Sequence, residues 1–264
     1  MKLPSLKSSH IGVKRYIARA FLALLTTVGV LGHVSGMYQL PYIDQIEDIL
    51  YDTRVRLSAP GGIDDRIVIV AIDERSLQLL GHWPFTREKF AALMNNLTDY
   101  GATVVGFDVL FAERDESADV DRLRMLAGEQ GDSEFIAQLN ELEPQLDRDR
   151  LFSEAMKNVP TVLGYFFDGN EETAYETGVL PYSAFDLHES MADTIFLPRG
   201  AGFSSIVPEL MEAAWTAGFI NNPLIDDDGV VRRTPLLHEF QFSVYESLSQ
   251  AIAATYLNDI TLPI

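Results

Sequence analysis

The longest apolar run comes first. Residues 16–38, YIARAFLALLTTVGVLGHVSGMY, carry no Asp, Glu, Lys or Arg after Arg19. At about 1.5 Å rise per residue, Ala20 to Tyr38 reaches about 28 Å, one hydrocarbon core. The pattern predicts a transmembrane helix over 16–38. From Ile43 to Leu57 apolar residues return at helical spacing, with Ile43, Ile46, Ile49 or Leu50, and Val55 or Leu57. This predicts an amphipathic connector that carries Asp52-Thr53-Arg54 and ends at Ala59-Pro60-Gly61-Gly62. The period then changes to a continuous β-branched run from Ile67, closing on Asp73-Glu74 and the loop SLQLLGHWPFTR. Such a run reads as a strand buried on both faces, with Asp73 at its carboxyl end. Ligands of open α/β sheets gather outside such ends, which makes this the stretch the rest of the chain is arranged around.

Helical period resumes after Thr86, a candidate N-cap, with Phe90, Leu93, Met94, Leu97 and Tyr100, and stops at Gly101. A second buried strand, Thr103 to Phe107, ends at Asp108 and runs on through Val109-Leu110-Phe111 toward Glu113, Arg114 and Asp115. Strand, helix, strand is a βαβ unit whose right-handed crossover sets Asp73 and Asp108 at the same sheet edge. Residues 117–148 turn acidic and helical, with Phe135, Ile136, Leu139, Leu142 and Leu146 on one stripe, and read as a surface insertion. Leu151, Phe152, Ala155, Met156 and Val159 predict a core-facing helix broken by Pro160, and Thr161 to Phe167 a third strand ending at Asp168. Beyond it the pattern predicts loops over 169–202, a short helix over 208–215 and a strand over 218–221. A turn at Asp226-Asp227-Asp228-Gly229, a strand over 230–242 and a helix over 243–257 complete the chain. The fold class that results is α/β, a central, largely parallel sheet flanked by helices and preceded by one transmembrane helix.

Charge sets the topology. Five basic residues, Lys2, Lys7, Lys14, Arg15 and Arg19, precede every acidic one, so of 20 Lys plus Arg only 15 face the 39 Asp plus Glu that follow. The positive-inside rule then puts the N-terminus in the cytoplasm and the acidic part outside the inner (plasma) membrane, in the periplasm or at the cell exterior. A cleaved signal peptide is the competing reading, with Val34-Ser35-Gly36 as the cleavage site, but the length and the Tyr16 and Tyr38 ends favour an anchor. The expected layout is a cytoplasmic N-terminus over 1–15, the anchor over 16–38, an outward domain over 40–258 with its insertion at 117–148, and a stub over 259–264. Gly32 and Gly36 make a small-xxx-small pair on which two anchors could pack, so a homodimer is expected. The acidic field repels nucleic acid, and the absence of cysteine excludes disulfides and thiolate chemistry.

The chain lacks G-x-S-x-G, a Walker loop and H-E-x-x-H, and its five histidines, His10, His33, His82, His188 and His238, show no ligand spacing. No cofactor is expected. The strongest chemistry lies in the carboxylates Asp73 and Asp108 with Glu113 and Asp115 nearby, since facing carboxylates need a divalent cation, an arginine or a shared proton. Arg54, Arg87 and Arg114 are the arginines at hand. The plainer reading has Asp73 and Asp108 capping loops and pairing with Arg54 or Arg87 as a strut or latch. Asp226 to Gly229 lacks the ligand alternation of a calcium loop and reads as a tight turn. Trp83-Pro84-Phe85 is an aromatic corner suited to lining an apolar pocket or plugging the sheet edge. The rival function is an anchored or secreted metal-dependent hydrolase using Asp73, Asp108 and Glu113.

Four segments, IDERSLQLLGHWPFTR, GFDVLF, GFINN…DDDGVVRRTPLL and YESLSQAIAATYL, together resemble a CHASE domain of the second class over most of residues 40–258. The resemblance implies an outward-facing sensor of a bacterial receptor, with one membrane helix before it and several after. Such a sensor regulates a cytoplasmic adenylate cyclase, diguanylate cyclase, histidine kinase or serine/threonine kinase in the same polypeptide and has no catalysis of its own. Its signal would be a small molecule or ion, with Asp73, Trp83, Arg87, Asp108 and Glu113 as candidate ligand contacts. Arg54, Asp149, Asp228 and Gly229 are the structural or coupling candidates. Two features depart from the pattern: 117–148 intervenes before the family-like Asp149-Arg150-Leu151, and the chain reaches Ile264 without a returning membrane helix or output domain.

Overall fold

A computed structural model describes residues 9–38, 41–59, 61–115, 118–130, 133–188, 195–226 and 228–257. The chain forms two compact units, Met1–Ala71 and Ile72–Ile264.

In the first unit, α1 (Ser9–Val34) contains a stretch, Arg15–Val34, long and apolar enough to cross a membrane. Thr26 and Thr27 return their hydroxyls to the Leu22 and Ala23 carbonyls, so no polar group is left open on the helix surface there. The helix ends in a turn over 35–38 with Gly36 at φ 73°, a conformation glycine adopts without Cβ strain. Tyr38 then folds back: its hydroxyl donates to the Gly29 carbonyl, and a Cβ on Gly32 would lie 2.6 Å from its ring. Residues Gly29 and Gly32 are therefore covered by the chain's own tyrosine. After Pro41, at the first helical position where its missing N–H costs nothing, α2 runs to Ser58.

The strand expected at Ile67 is absent. Ile67 to Ala71 has no ladder, and Ile67, Val68, Ile69 and Val70 are 55–87% exposed. Its entry is held by the Asp64 turn, where the Asp64 carboxylate accepts from Arg66 and the Ile67 amide donates to the Asp64 carbonyl. A β-branched run specifies a strand only when a partner strand offers hydrogen bonds and a face to pack on. The βαβ unit through Asp73 is accordingly not formed.

In the second unit the parallel sheet is built from later segments. Strand β1 (Val105–Leu110) pairs in parallel with β2 (Thr161–Asp168), and β2 pairs in parallel with β6 (Thr216–Phe219). The connection between β1 and β2 contains three helices, α5 (Ala118–Gln130), α6 (Ser133–Leu146) and α7 (Arg148–Met156). Leu142 and Leu146 of the expected stripe lie outside the described side chains. Of the loops expected over 169–202, the described part contains two short strands, β3 (Glu176–Thr177) and β4 (Phe185–Asp186), and a third, β5 (Gly202–Ser204), begins at its last residue. Strand β5 extends the sheet antiparallel to the end of β2, with β3 beside it.

Helices cover both faces. Helix α4 (Arg87–Asp99), preceded by α3 (Glu74–Leu80), packs with α7 on the face carrying Phe107 and Leu163. Phe90, Phe107, Phe111 and Phe152 make mutual ring contacts at 5.2–5.9 Å there. Neighbouring residues on a strand point to opposite faces, and next to Phe107 a Cβ on Gly106 would strike Ile252 of α9 (Leu248–Leu257). Helix α8 (Pro208–Ala213) precedes β6.

The tail differs from its expected form. Residues 230–235 form no strand; β7 (Leu237–Phe240) and β8 (Ser243–Glu246) make the hairpin, joined through Gln241 and Phe242 at φ 50° and 65°. Both loop residues thus sit where a two-residue hairpin requires positive φ, although neither is glycine. The Phe242 amide is held by Glu239 Oε1 at 2.9 Å. The final helix starts at Leu248 because Ser243-Val244-Tyr245-Glu246 pairs with both β7 and β4.

Candidate functional site

The charged centre of the second unit forms where β1 ends. After Phe111 the chain turns through Ala112 to Asp115, and the first turns of α4 and α7 meet it. Arg87, first residue of α4, is buried and donates from Nε to Asp149 Oδ1 at 3.0 Å and from Nη2 to the Glu113 carbonyl at 2.7 Å. Its guanidinium lies 4.5 Å from the Phe111 ring centroid, a cation–π contact. Asp149, in the first turn of α7, uses its other oxygen to accept the Asp115 amide at 2.9 Å. Asp115 in turn accepts the backbone N–H of Arg87 at 2.6 Å and faces Arg148 Nη1 at 3.5 Å.

This arrangement solves two local problems. Thr86, the N-cap of α4, makes no side-chain capping bond, and Asp115 from a distant loop accepts a first-turn N–H in its place. Both carboxylates lie at helix starts, where the macrodipole favours negative charge. Asp147 caps α7 in the usual way by accepting from Arg150 N at 3.0 Å.

Above the clamp opens a cleft of about 490 Å³ lined by Ala112, Glu113, Arg114, Gly178, Val207 and Pro208. Its far wall is tied to the loop by the Val207 amide, which donates to the Phe111 carbonyl at 3.0 Å. Arg114 Nη2 bonds Glu209 Oε2 at 3.1 Å across its rim. Backbone is fixed from below while the Glu113 and Arg114 side chains remain exposed.

Arg87 and Asp149, expected in different roles, come together, and Asp115 and the Glu113 backbone join them. Asp73 does not. It is the N-cap of α3, with Oδ1 accepting the Ser76 amide and hydroxyl, both at 2.8 Å, and those bonds hold its carboxyl below the usual range. The latch between Asp73 and Arg87 is therefore corrected: Asp149 takes the guanidinium. Arg54 returns its Nε to the Leu50 carbonyl of its own helix. Asp108 is exposed within β1, two residues before its end. Trp83 is half exposed and set edge-on to Phe85 and Phe90, over the aromatic core. Asp226 and Asp228 bind Arg232, and Asp226 also binds Arg233. Hydrogen bonding from Arg232 lowers the Asp228 carboxyl to about 2, and Gly229 at φ 78° closes the turn. Among the described residues no group of three or more His, Asp or Glu could hold a metal ion, so Asp73, Asp108 and Glu113 do not assemble the metal centre of the rival hydrolase.

A second buried cluster lies between β2 and β7. His238 stacks on Phe167 at 4.5 Å and 15°, with Nδ1 3.2 Å from the Glu239 carbonyl, and burial holds its imidazole below the ordinary value. Tyr165 is fully buried, and its hydroxyl is the one buried side-chain polar atom without a partner among the described residues.

The family model for the CHASE2 domain matches residues 23–264. The chain belongs to the CHASE2 family. CHASE2 domains are extracytoplasmic sensors rather than catalysts. No curated protein and no solved structure matches this chain. No single-residue signal in the sequence pairs Arg87 with Asp149, 62 positions apart; the one local hint is an arginine directly after a candidate N-cap, where a carboxylate is the favoured residue.

Proposed function

We propose that this CHASE2 chain is the membrane-anchored, outward-facing input part of a bacterial receptor whose effector, an adenylate cyclase, diguanylate cyclase or protein kinase, lies in the cytoplasm on the same polypeptide. The observation that carries the reading is the family match, which begins inside the apolar helix at residue 23 and continues to residue 264. The charge asymmetry supports the orientation: Lys2, Lys7, Lys14, Arg15 and Arg19 all precede the uncharged part of α1, and the acidic residues follow the helix. The signal is a small molecule or ion, and the cleft beside Glu113 and Arg114 is the proposed place for it. The receptor works as a homodimer in the inner membrane. Reporter fusions after Asp115 test the topology. Alkaline phosphatase active there, with a cytoplasm-dependent reporter silent, is the expected result; the reverse pattern, or a mature N-terminus near Gly36, overturns it.

A further inference from the structure

The apolar face of the connector α2 also follows a heptad. Ile43, Ile46, Leu50, Thr53 and Leu57 are spaced three, four, three and four residues apart, the a and d positions of two heptads, and all five are exposed. The polar member fits the pattern as well, because Thr53 donates its hydroxyl to the Ile49 carbonyl of its own helix at 2.7 Å. That satisfied hydroxyl leaves the methyl group free to pack.

We propose that α2 forms a parallel, in-register two-stranded coiled coil with α2 of a second copy of this chain, along the seam Ile43, Ile46, Leu50, Thr53 and Leu57. This rests on the reading of α1 as a membrane anchor. Two anchors crossing in the same sense deliver their α2 helices side by side and parallel, since only residues 35–40 separate the two helices. In that register Tyr42 faces Glu47 and Ile49 faces Arg54 across the seam, so no like charges meet. Two heptads are short for an isolated pair, but a shared membrane raises the effective concentration of the two helices.

A lipid surface is the other occupant for an amphipathic helix at this position. Surface-bound helices are rich in Lys and Arg, whereas α2 carries Asp44, Glu47, Asp48 and Asp52 against Arg54 and Arg56 and is repelled by anionic headgroups. Nor is the small-residue face of α1 open for the same purpose, because Tyr38 covers Gly29 and Gly32.

The chain contains no cysteine, so single-cysteine variants report without background. The full chain in native membranes is oxidised with Ile46→Cys or Leu50→Cys on the seam and Gln45→Cys or Asp52→Cys away from it. Covalent dimer should form several-fold faster at Ile46 and Leu50, and adding Leu50→Asp to Ile46→Cys should abolish that advantage. Equal rates at all four positions, or faster reaction at Gln45 and Asp52, overturn the seam. The mass of the particle in lipid nanodiscs separates the two levels: a dimer without seam bias sinks this interface alone, and a monomer sinks the homodimer as well. Either result leaves the fusion test of topology independent.

Discussion

Replacing Arg87 by alanine should be among the most damaging changes available in the second unit. The substitution strips three contacts at once: the bond to Asp149, the bond to the Glu113 carbonyl and the stacking on Phe111. The dominant loss is the uncompensated Asp149 carboxylate, whose side chain is 5% exposed. Removing one partner of a buried pair costs about 3–5 kcal/mol. For a unit of this size a kilocalorie per mole moves the melting point by roughly 2–4 °C, so a fall of roughly 6–20 °C is expected in a thermal melt of the anchored chain. The double variant Arg87→Met, Asp149→Leu removes both charges and should recover much of the loss. It still leaves the Asp115 amide without its acceptor, a residual cost of about 1–3 kcal/mol. Chemical denaturation of both singles and the double gives the coupling energy directly. A loss below about 1 kcal/mol for Arg87→Ala, or strict additivity in the cycle, refutes the buried-pair reasoning.

Acid should weaken the second cluster through His238, whose folded pKa is depressed below its ordinary 6.5. The unfolded chain takes up that proton first, so stability falls as pH drops through 6.5 toward the folded value, and denaturant midpoints for His238→Phe should show a flatter profile. Glu246, raised by burial, works with the opposite sign, so the comparison must be between variant and parent; identical slopes exclude the histidine. Tyr165→Phe deletes the unpartnered hydroxyl and should raise stability by about 1 kcal/mol, whereas a loss of that size would mean the hydroxyl has a partner. Gly218→Ala places a Cβ 2.5 Å from the Leu248 backbone, and a cost of about 3 kcal/mol or no folded protein is expected; a cost under about 1 kcal/mol means that α9 shifts freely.

How much of this was legible depends on whether a local pattern met a global partner. Strands β1 and β2 and helices α4 and α7 could be read because their apolar periods agree with the core they enter, as Phe90, Phe107 and Phe152 show. Ile67 to Ala71 had an equally strong pattern and has no ladder, since a continuous apolar run says that a strand is favourable and not that an edge is available. Tail boundaries failed for the related reason that Ser243 to Glu246 suits either the start of a helix or a cross-strand partner, and pairing with β4 and β7 decided it. Of the site, the arginines and carboxylates were visible as a set, but not who pairs with whom. Asp73 belongs at a sheet edge only if Ile67 to Ala71 is a strand, and without that strand its carboxylate accepts from the Ser76 amide and hydroxyl three residues ahead.

The division of charges around the cleft bears on how a signal could act there. Arg87 and Asp149 are buried, doubly committed and expensive to separate, so the loop over 112–115 has a floor that stays put. Arg114 and Glu209 are 58% and 29% exposed, and an ion pair of that kind contributes about 0–1 kcal/mol. Exchanging Glu209 for a ligand carboxylate, or Arg114 for a ligand ammonium, therefore costs little, while both groups stay anchored to rigid backbone. A ligand transmits only what it binds differentially in two states. The cheap outer pair is the element that can have two arrangements without unfolding the inner one, so Arg114→Ala and Glu209→Ala should leave the melting point nearly unchanged while altering the response of the intact receptor. Arg87→Ala should lower the melting point and leave the response per folded molecule intact. The opposite assignment, with Arg87 changing the response at unchanged stability, would move the signalling element into the buried clamp.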